Sequence, residues 1–401
     1  MTHTLARRAQ AISPSPTLSL DTKTKALIAQ GHDVVNLTVG EPDFPTPLAA
    51  SYAAIRAITE GFTRYTAPAG IVELRKAIAE KLAQENGLSY SPDEIIVSTG
   101  AKQSLYNIFM TLLDPGDEVL LPAPYWVSYP EQIRLAEGVP VVLETDEQSG
   151  FKVTPEQVLR AITPRTKAIL INSPSNPTGV TYTPEEIDAL AEALTSTSLY
   201  VVSDEIYEQL TYGVTHKSIA TSSEELRKRT LVVNGFSKTF GMTGWRVGYV
   251  AGDRTLIQAM SSFQSHTTAN PSSISQRAAL GALGTFSPQT RETMRERLQF
   301  VTRALAELPG ITCAQPNGAF YVFPNASSWI TKTYTKMSGE SIVIRDGDHL
   351  GELLLSEALI SVVPGSGFGA PNNFRISYAT SMPNLEKAME RLRDFAKRIA
   401  H

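Results

Sequence analysis

Cysteine is almost missing from this chain: one residue, Cys313, in 401. A single thiol makes neither an internal disulfide nor a multi-thiolate metal site, and such scarcity points to a reducing compartment. Excess charge of one sign is missing as well. Thirty-six Lys and Arg stand against 40 Asp and Glu, a net charge of −4, with no basic run. That balance offers no electrostatic reason to hold nucleic acid or an anionic membrane. No apolar stretch approaches the ~18 residues of a membrane span. The start, Met1-Thr2-His3-Thr4-Leu5-Ala6-Arg7-Arg8, has no apolar core for a signal peptide. Internal repeats and low-complexity segments are absent too. The expectation is a soluble, cytoplasmic protein with small-molecule partners, and a length that suits two domains rather than one core.

Short apolar runs are what the chain does have. Ile95–Thr99, Glu118–Leu121, Val139–Leu143, Ala168–Asn172, Leu199–Ser203, Leu231–Asn234 and Val247–Ala251 are rich in Val, Ile and Leu without polar alternation. Strands buried on both faces read this way. Amphipathic stretches lie between them, most clearly after Thr183-Pro184-Glu185-Glu186, where a capping-box Thr and Glu flank a proline at the first helical position. Ile187, Leu190, Ala191 and Leu194 follow at helical spacing. The order predicts an α/β domain over residues 49–290 with a mostly parallel, seven-stranded sheet. A helix over Arg291–Leu308, a strand over Ala319–Phe323 and a terminal helix over Leu385–Ile399 predict a smaller α+β domain, formed by 291–401 with 14–48. Residues 1–13 are left as an N-terminal arm.

Ligands of such sheets collect at the carboxyl ends of the strands, so the residues that follow each run carry the functional information. Gly100-Ala101-Lys102 follows the first run and opens a helical pattern, a place where backbone N–H groups can meet an anion. Asn172-Ser173-Pro174-Ser175-Asn176-Pro177-Thr178-Gly179 follows the fourth, although an ordinary turn also uses Asn, Pro and Gly. Asp204 ends the fifth, costly for a buried carboxylate unless it is paired or functional. Lys238 follows the sixth among aromatics and glycines, with Arg246 eight positions later. One cofactor uses all four features. Pyridoxal 5′-phosphate (PLP) needs a lysine amine, a carboxylate opposite its ring nitrogen, donors for its phenolic oxygen and a phosphate cup.

At these motifs the sequence resembles the fold-type I PLP-dependent aminotransferases, closely the class I aspartate aminotransferases of subgroup Ib. The resemblance runs from about Ala11 to the C-terminus and is most specific at Asn172–Gly179, Val201–Tyr207, Ser237–Gly248 and Phe374–Ala379. It implies Lys238 as the Schiff-base lysine, Asp204 as the partner of the ring nitrogen, and Asn176 with Tyr207 on the phenolic oxygen. Gly100, Ala101, Ser237 and Arg246 match the phosphate cup, and Trp126 the aromatic that stacks on the ring. Tyr65 resembles a tyrosine that reaches the neighbouring subunit's phosphate, which implies a homodimer. Arg375 matches the arginine that grips the substrate α-carboxylate, bidentately as its planar fork allows, with Gly40 beside it. Lys102 stands where subgroup Ib contacts the distal carboxylate of aspartate or glutamate. The implied reaction is ping-pong transfer of the amino group of aspartate to 2-oxoglutarate.

One departure stands out. Ser13 occupies a place where a basic residue is expected, removing a second cation and weakening a prephenate-aminotransferase reading. Gly318-Ala319-Phe320-Tyr321 keeps a family pattern and is assigned to packing. The alternatives are a broad-specificity, aromatic or prephenate aminotransferase, a PLP-dependent β-lyase, and a non-catalytic sensor of the same fold, the last disfavoured by the lack of a basic patch. A nicotinamide-dependent dehydrogenase lacks its Gly-x-Gly-x-x-Gly turn.

Overall fold

The computed structural model describes residues 5–12 and 16–400, so Ser13 lies outside the described residues. Seven strands form the main sheet: β1 (Ile95–Ser98), β2 (Glu118–Pro122), β3 (Val139–Leu143), β4 (Thr166–Asn172), β5 (Tyr200–Asp204), β6 (Thr230–Gly235) and β7 (Gly248–Ala251). Their order is β1-β7-β6-β5-β4-β2-β3. The pairs β3–β2, β2–β4, β4–β5 and β5–β6 are parallel, and only β7 runs against its neighbours β6 and β1. The sheet is therefore mostly parallel, as the alternating sequence predicts. The expectation of burial on both faces fails at β3. Val139 and Val142 are 45% and 38% exposed there, whereas β1, at the other edge of the sheet, is buried throughout.

Helices α1 (Leu48–Thr59), α2 (Val72–Asn86), α3 (Ala101–Leu112) and α4 (Pro184–Thr195) lie along this part of the chain. α4 starts where its capping box predicts. The Thr183 hydroxyl accepts from Glu186 N–H at 3.3 Å, and the Glu186 carboxylate accepts from Thr183 N–H at 2.7 Å. Ile187, Leu190, Ala191 and Leu194 are the face it buries.

A second core is built by α5 (Pro288–Ala306), α6 (Gly347–Ala358) and α7 (Met382–Ala396) around a small antiparallel sheet. That sheet has the order β9 (Val363–Pro364), β10 (Phe374–Ser377), β8 (Tyr321–Val322). α5 begins before the expected Arg291, at Pro288 after a Ser287 cap. The strand expected over Ala319–Phe323 shortens to β8, since Ala319 takes a left-handed φ of 53°. Ile206, Tyr207, Leu210 and Tyr212, just beyond β5, pack into this second core.

Behind that junction sits a buried ionic cluster. Glu205 accepts from Ser203 (2.9 Å) and Ser218 (2.5 Å) and pairs with His216 Nε2 at 3.0 Å. Glu208 is held by the Lys81 ammonium, from α2, and by Asn86 at 2.6 Å. The ligand atoms of Glu205, Glu208 and His216 lie within 4.8 Å of one another, yet each carboxylate already has a basic partner, Lys81 on Glu208 and His216 on Glu205. Burial opposes a charged imidazole, but the Glu205 and Glu208 carboxylates outweigh it and raise the His216 pKa. A raised folded value stabilises fully below the unfolded histidine value near 6.5 and fades as pH climbs through the folded one. His216→Ala should therefore cost about 3 kcal/mol at pH 6 and markedly less at pH 9, measured by urea unfolding. A cost independent of pH would show that the pair carries no charge.

Candidate active site

All the strand ends that matter meet on one edge. The carboxyl ends of β1, β4, β5 and β6 lie there, and so does the start of β7, because Gly248 pairs with both Ser98 and Gly235. Between this edge and the second core is a cavity of about 360 Å³. It is lined by Gly40, Ala101, Lys102, Trp126, Asn176, Asp204, Tyr207, Ser237, Lys238, Arg246 and Arg375 of the predicted residues. Gly100 sits just behind the lining, and Tyr65 is 92% exposed and outside it.

The β1 end leads into a helix start without a side-chain cap. Gly100 has φ +82° and precedes α3 with no side-chain cap, so the first helical N–H groups are not taken up by one. A Cβ at Gly100 would stand 2.9 Å from the Arg246 guanidinium carbon, so glycine is what lets that cation approach. Arg246 itself holds a left-handed φ of 55° and donates to the Thr243 carbonyl at 2.7 Å. Such strain persists only where the surroundings impose it. Ser237 also lines the cavity.

Asp204 is 3% exposed and receives two donors, the Tyr129 hydroxyl at 2.8 Å on Oδ2 and Ile206 N–H at 3.2 Å on Oδ1. Burial still dominates and pushes its pKa up to about 6. Lys238 donates to the Gly40 carbonyl. Burial first, and then the Arg375 charge, pull its pKa down to about 8, partly opposed by Glu41. A lysine so placed is partly neutral near physiological pH, which a nucleophile and proton carrier requires.

Arg375, on β10, is 2% exposed and has no carboxylate partner among the described residues. Nη1 donates to Asn176 Oδ1 at 2.9 Å and Nη2 to the Thr38 carbonyl at 2.7 Å, while Nε has no acceptor. Its guanidinium lies over the Tyr321 ring at 4.5 Å and the Phe368 ring at 5.2 Å. Lys102 lies 4.8 Å from the Trp126 ring, and burial, then Arg246, lower its pKa. Trp126 meets Tyr129 edge-on at 5.3 Å. Asn176 and Tyr207 both reach the cavity but bond to different neighbours, Arg375 and Tyr321.

Among the lining residues that the sequence reading does not single out for the site are Tyr129, Tyr321, Glu41 and Thr243. The assignment of Tyr321 to packing alone is corrected here, since its hydroxyl stands 3.0 Å from that of Tyr207 inside the cavity wall. Tyr129 lies in the same Pro124–Tyr129 stretch as Trp126, but nothing local marks it as reaching a carboxylate 75 residues on. Glu41 accepts from Thr243 at 2.8 Å and so ties the Gly40 segment to the loop after Lys238.

A lysine of lowered pKa, a buried carboxylate and an uncapped helix start share one strand edge of a chain that is similar to known proteins over most of its length. The aminotransferase class I and II family model covers residues 32–392. The chain belongs to this family. It is 51% identical over 395 residues to an aspartate aminotransferase of Geobacillus stearothermophilus, covering 98% of each chain. An aspartate/prephenate aminotransferase of Cereibacter sphaeroides is 46% identical over 400 residues, again with 98% of each covered. Among solved structures, an aspartate aminotransferase from Thermus thermophilus with maleate superposes with a TM-score of 0.91 at 46% identity, covering 98% of this chain and 100% of that one. The aminotransferase fold thus joins the mostly parallel sheet to the second core.

The site is kept at a cost in stability. A folded carboxylate value near 6, above the usual ~3.9, favours folding at low pH and loses that benefit as pH rises through about 6. Ionised Asp204 then costs the cofactor-free protein roughly 3 kcal/mol. Asp204→Asn should raise the melting temperature of the cofactor-free protein at pH 8 and leave it little changed at pH 4. Equal melting at both pH values would mean that Asp204 is not desolvated.

Proposed function

We propose that this chain is a PLP-dependent aspartate aminotransferase that moves an amino group from aspartate to 2-oxoglutarate and works as a cytoplasmic homodimer. The observation that carries the reading is one cavity holding a buried, carboxylate-free Arg375, a second cation in Lys102, and Lys238 with its pKa lowered to about 8. The 46–51% identical relatives that bear the same activity in their names support it.

The residues fit PLP part by part. The uncapped start of α3, with Ser237 and Arg246, suits the phosphate, and the buried Asp204 suits a protonated ring nitrogen, whose charge would draw its pKa back down. Trp126 offers a face for the ring, and Asn176 and Tyr207 offer donors for the phenolic oxygen. Bound there, PLP supplies the electron-withdrawing ring that stabilises charge developing at the substrate Cα. Arg375 turns its guanidinium to the substrate α-carboxylate, orienting the Cα–H bond, and Lys102 takes the distal carboxylate. Lys238, as a neutral amine, removes the Cα proton and gives it back on the other side of the transfer. Burial by the second core keeps water from that proton.

Two further features favour the wider proposal. Leu48, Tyr52 and Ile55, at i, i+4 and i+7 of α1, are 71%, 66% and 56% exposed and lie before the exposed Tyr65, a face suited to a second copy of the chain. The separate cores support a division near residues 49 and 290. A prephenate activity is the second reading, favoured by the Cereibacter sphaeroides relative.

Substrate choice tests the proposal. With 2-oxoglutarate as acceptor, Lys102→Ala should lower kcat/KM for aspartate by about 10- to 1000-fold. Phenylalanine, without a distal carboxylate, should change far less, and Arg375→Ala should damage both donors alike. Equal losses for aspartate and phenylalanine from Lys102→Ala would contradict the assignment, and a wild-type preference for prephenate as acceptor would favour the second reading.

A further inference from the structure

Tyr207 and Tyr321 form a buried pair of phenols with hydroxyl oxygens 3.0 Å apart and exposures of 3% and 0%. Burial raises the pKa of both, so each keeps its one proton near neutral pH. Two orders of donation exist, and both phenols line the cavity, so lining alone does not choose between them. Charge does. The Arg375 guanidinium lies over the Tyr321 ring at 4.5 Å, and a cation so close makes that phenol the more acidic of the two and the better donor. With Tyr321 donating to Tyr207, the proton of Tyr207 is left for an oxygen acceptor in the cavity.

Packing holds the Tyr321 ring in place. Its ring stands edge-on to Tyr207 at 5.8 Å, meets Phe320 at 4.6 Å and carries the Arg375 guanidinium at 4.5 Å. A Cβ at residue 40 would come within 2.8 Å of the Tyr321 oxygen. Gly40 therefore makes room for this hydroxyl, a steric reason for glycine independent of any substrate.

We propose that Tyr321 is a positioning residue that fixes the direction of the Tyr207 proton, so that Tyr207 donates into the cavity toward the phenolic oxygen of PLP. The inference rests on the PLP reading above. Tyr321 touches no reacting atom; it acts through Tyr207. A donor already polarised by a second hydroxyl donates more strongly, which favours the state in which the phenolic oxygen bears the charge. Losing that support should move the pH midpoint of the bound cofactor's visible absorbance upward.

The experiment compares wild type, Tyr321→Phe, Tyr207→Phe and the double variant, each loaded with PLP. Tyr321→Phe keeps the ring over Arg375 and removes only the hydroxyl. Its absorbance midpoint should rise by about 0.5–1 in pH, and PLP should dissociate about three- to ten-fold more readily. In the Tyr207→Phe background the same change should add nothing, because Tyr321 acts through Tyr207. Gly40→Ala, which crowds the Tyr321 oxygen and deletes neither phenol, should raise the midpoint as well and covers the case of a poorly folding Tyr321→Phe. A wild-type midpoint unmoved in Tyr321→Phe, or a shift that persists fully without the Tyr207 hydroxyl, overturns the inference alone. Wild-type protein that shows no PLP absorbance overturns the cofactor reading and the inference with it.

Discussion

Charge buried without its own counter-charge is the constraint on which the rest of this structure depends. Arg375 and Asp204 are nearly inaccessible and Lys238 is partly buried, and none has a full ion-pair partner. Left to itself such a site would shift its protonation or admit water. Both protonation shifts are present, Asp204 upward to about 6 and Lys238 downward to about 8. Each runs opposite to what a stability-driven pairing produces. The site is a set of charged groups without counter-charges, and the scaffold carries its cost.

The scaffold carries it through topology. The reversed β7 brings Gly248 between Ser98 and Gly235, so the start of α3 and the Lys238 loop share one sheet edge. Residues 206–212 then leave that edge directly into the second core, and Arg375 returns from that core to Asn176 and the Thr38 carbonyl. Fully paired charge is found in the layer behind: Glu205 with His216 and two serines, Glu208 with Lys81 and Asn86. Consecutive acids, Asp204 and Glu205, thus have opposite duties, one open toward the cavity and one closed within a network.

Much of this was legible before any coordinates. Apolar runs place the seven strands because parallel strands bury both faces, and the rule slips at β3, where Val139 and Val142 are exposed although β1, at the other edge, is buried throughout. A capping box locates α4 because its bonds are local. Residues that follow a strand are readable since the sheet edge gathers them wherever they lie in the chain. Long-range partners are not readable. Tyr129 reaches Asp204 across 75 residues and Tyr321 reaches Tyr207 across 114, and a phenol bound for a buried hydroxyl has the same local signature as one bound for packing. The Lys81–Glu208–His216 cluster was hidden for the same reason, its members drawn from α2 and from the segment beyond β5.

The central claim is that Lys238, with its pKa lowered by burial and by Arg375, is the residue that carries PLP. Borohydride reduction of the PLP-loaded protein, followed by proteolysis and mass spectrometry of the labelled peptide, tests it directly. The account predicts one phosphopyridoxyl group per chain, on Lys238 in the peptide containing Phe236-Ser237-Lys238-Thr239. A label on any other lysine, Lys102 and Lys81 included, or no label at all, would contradict it.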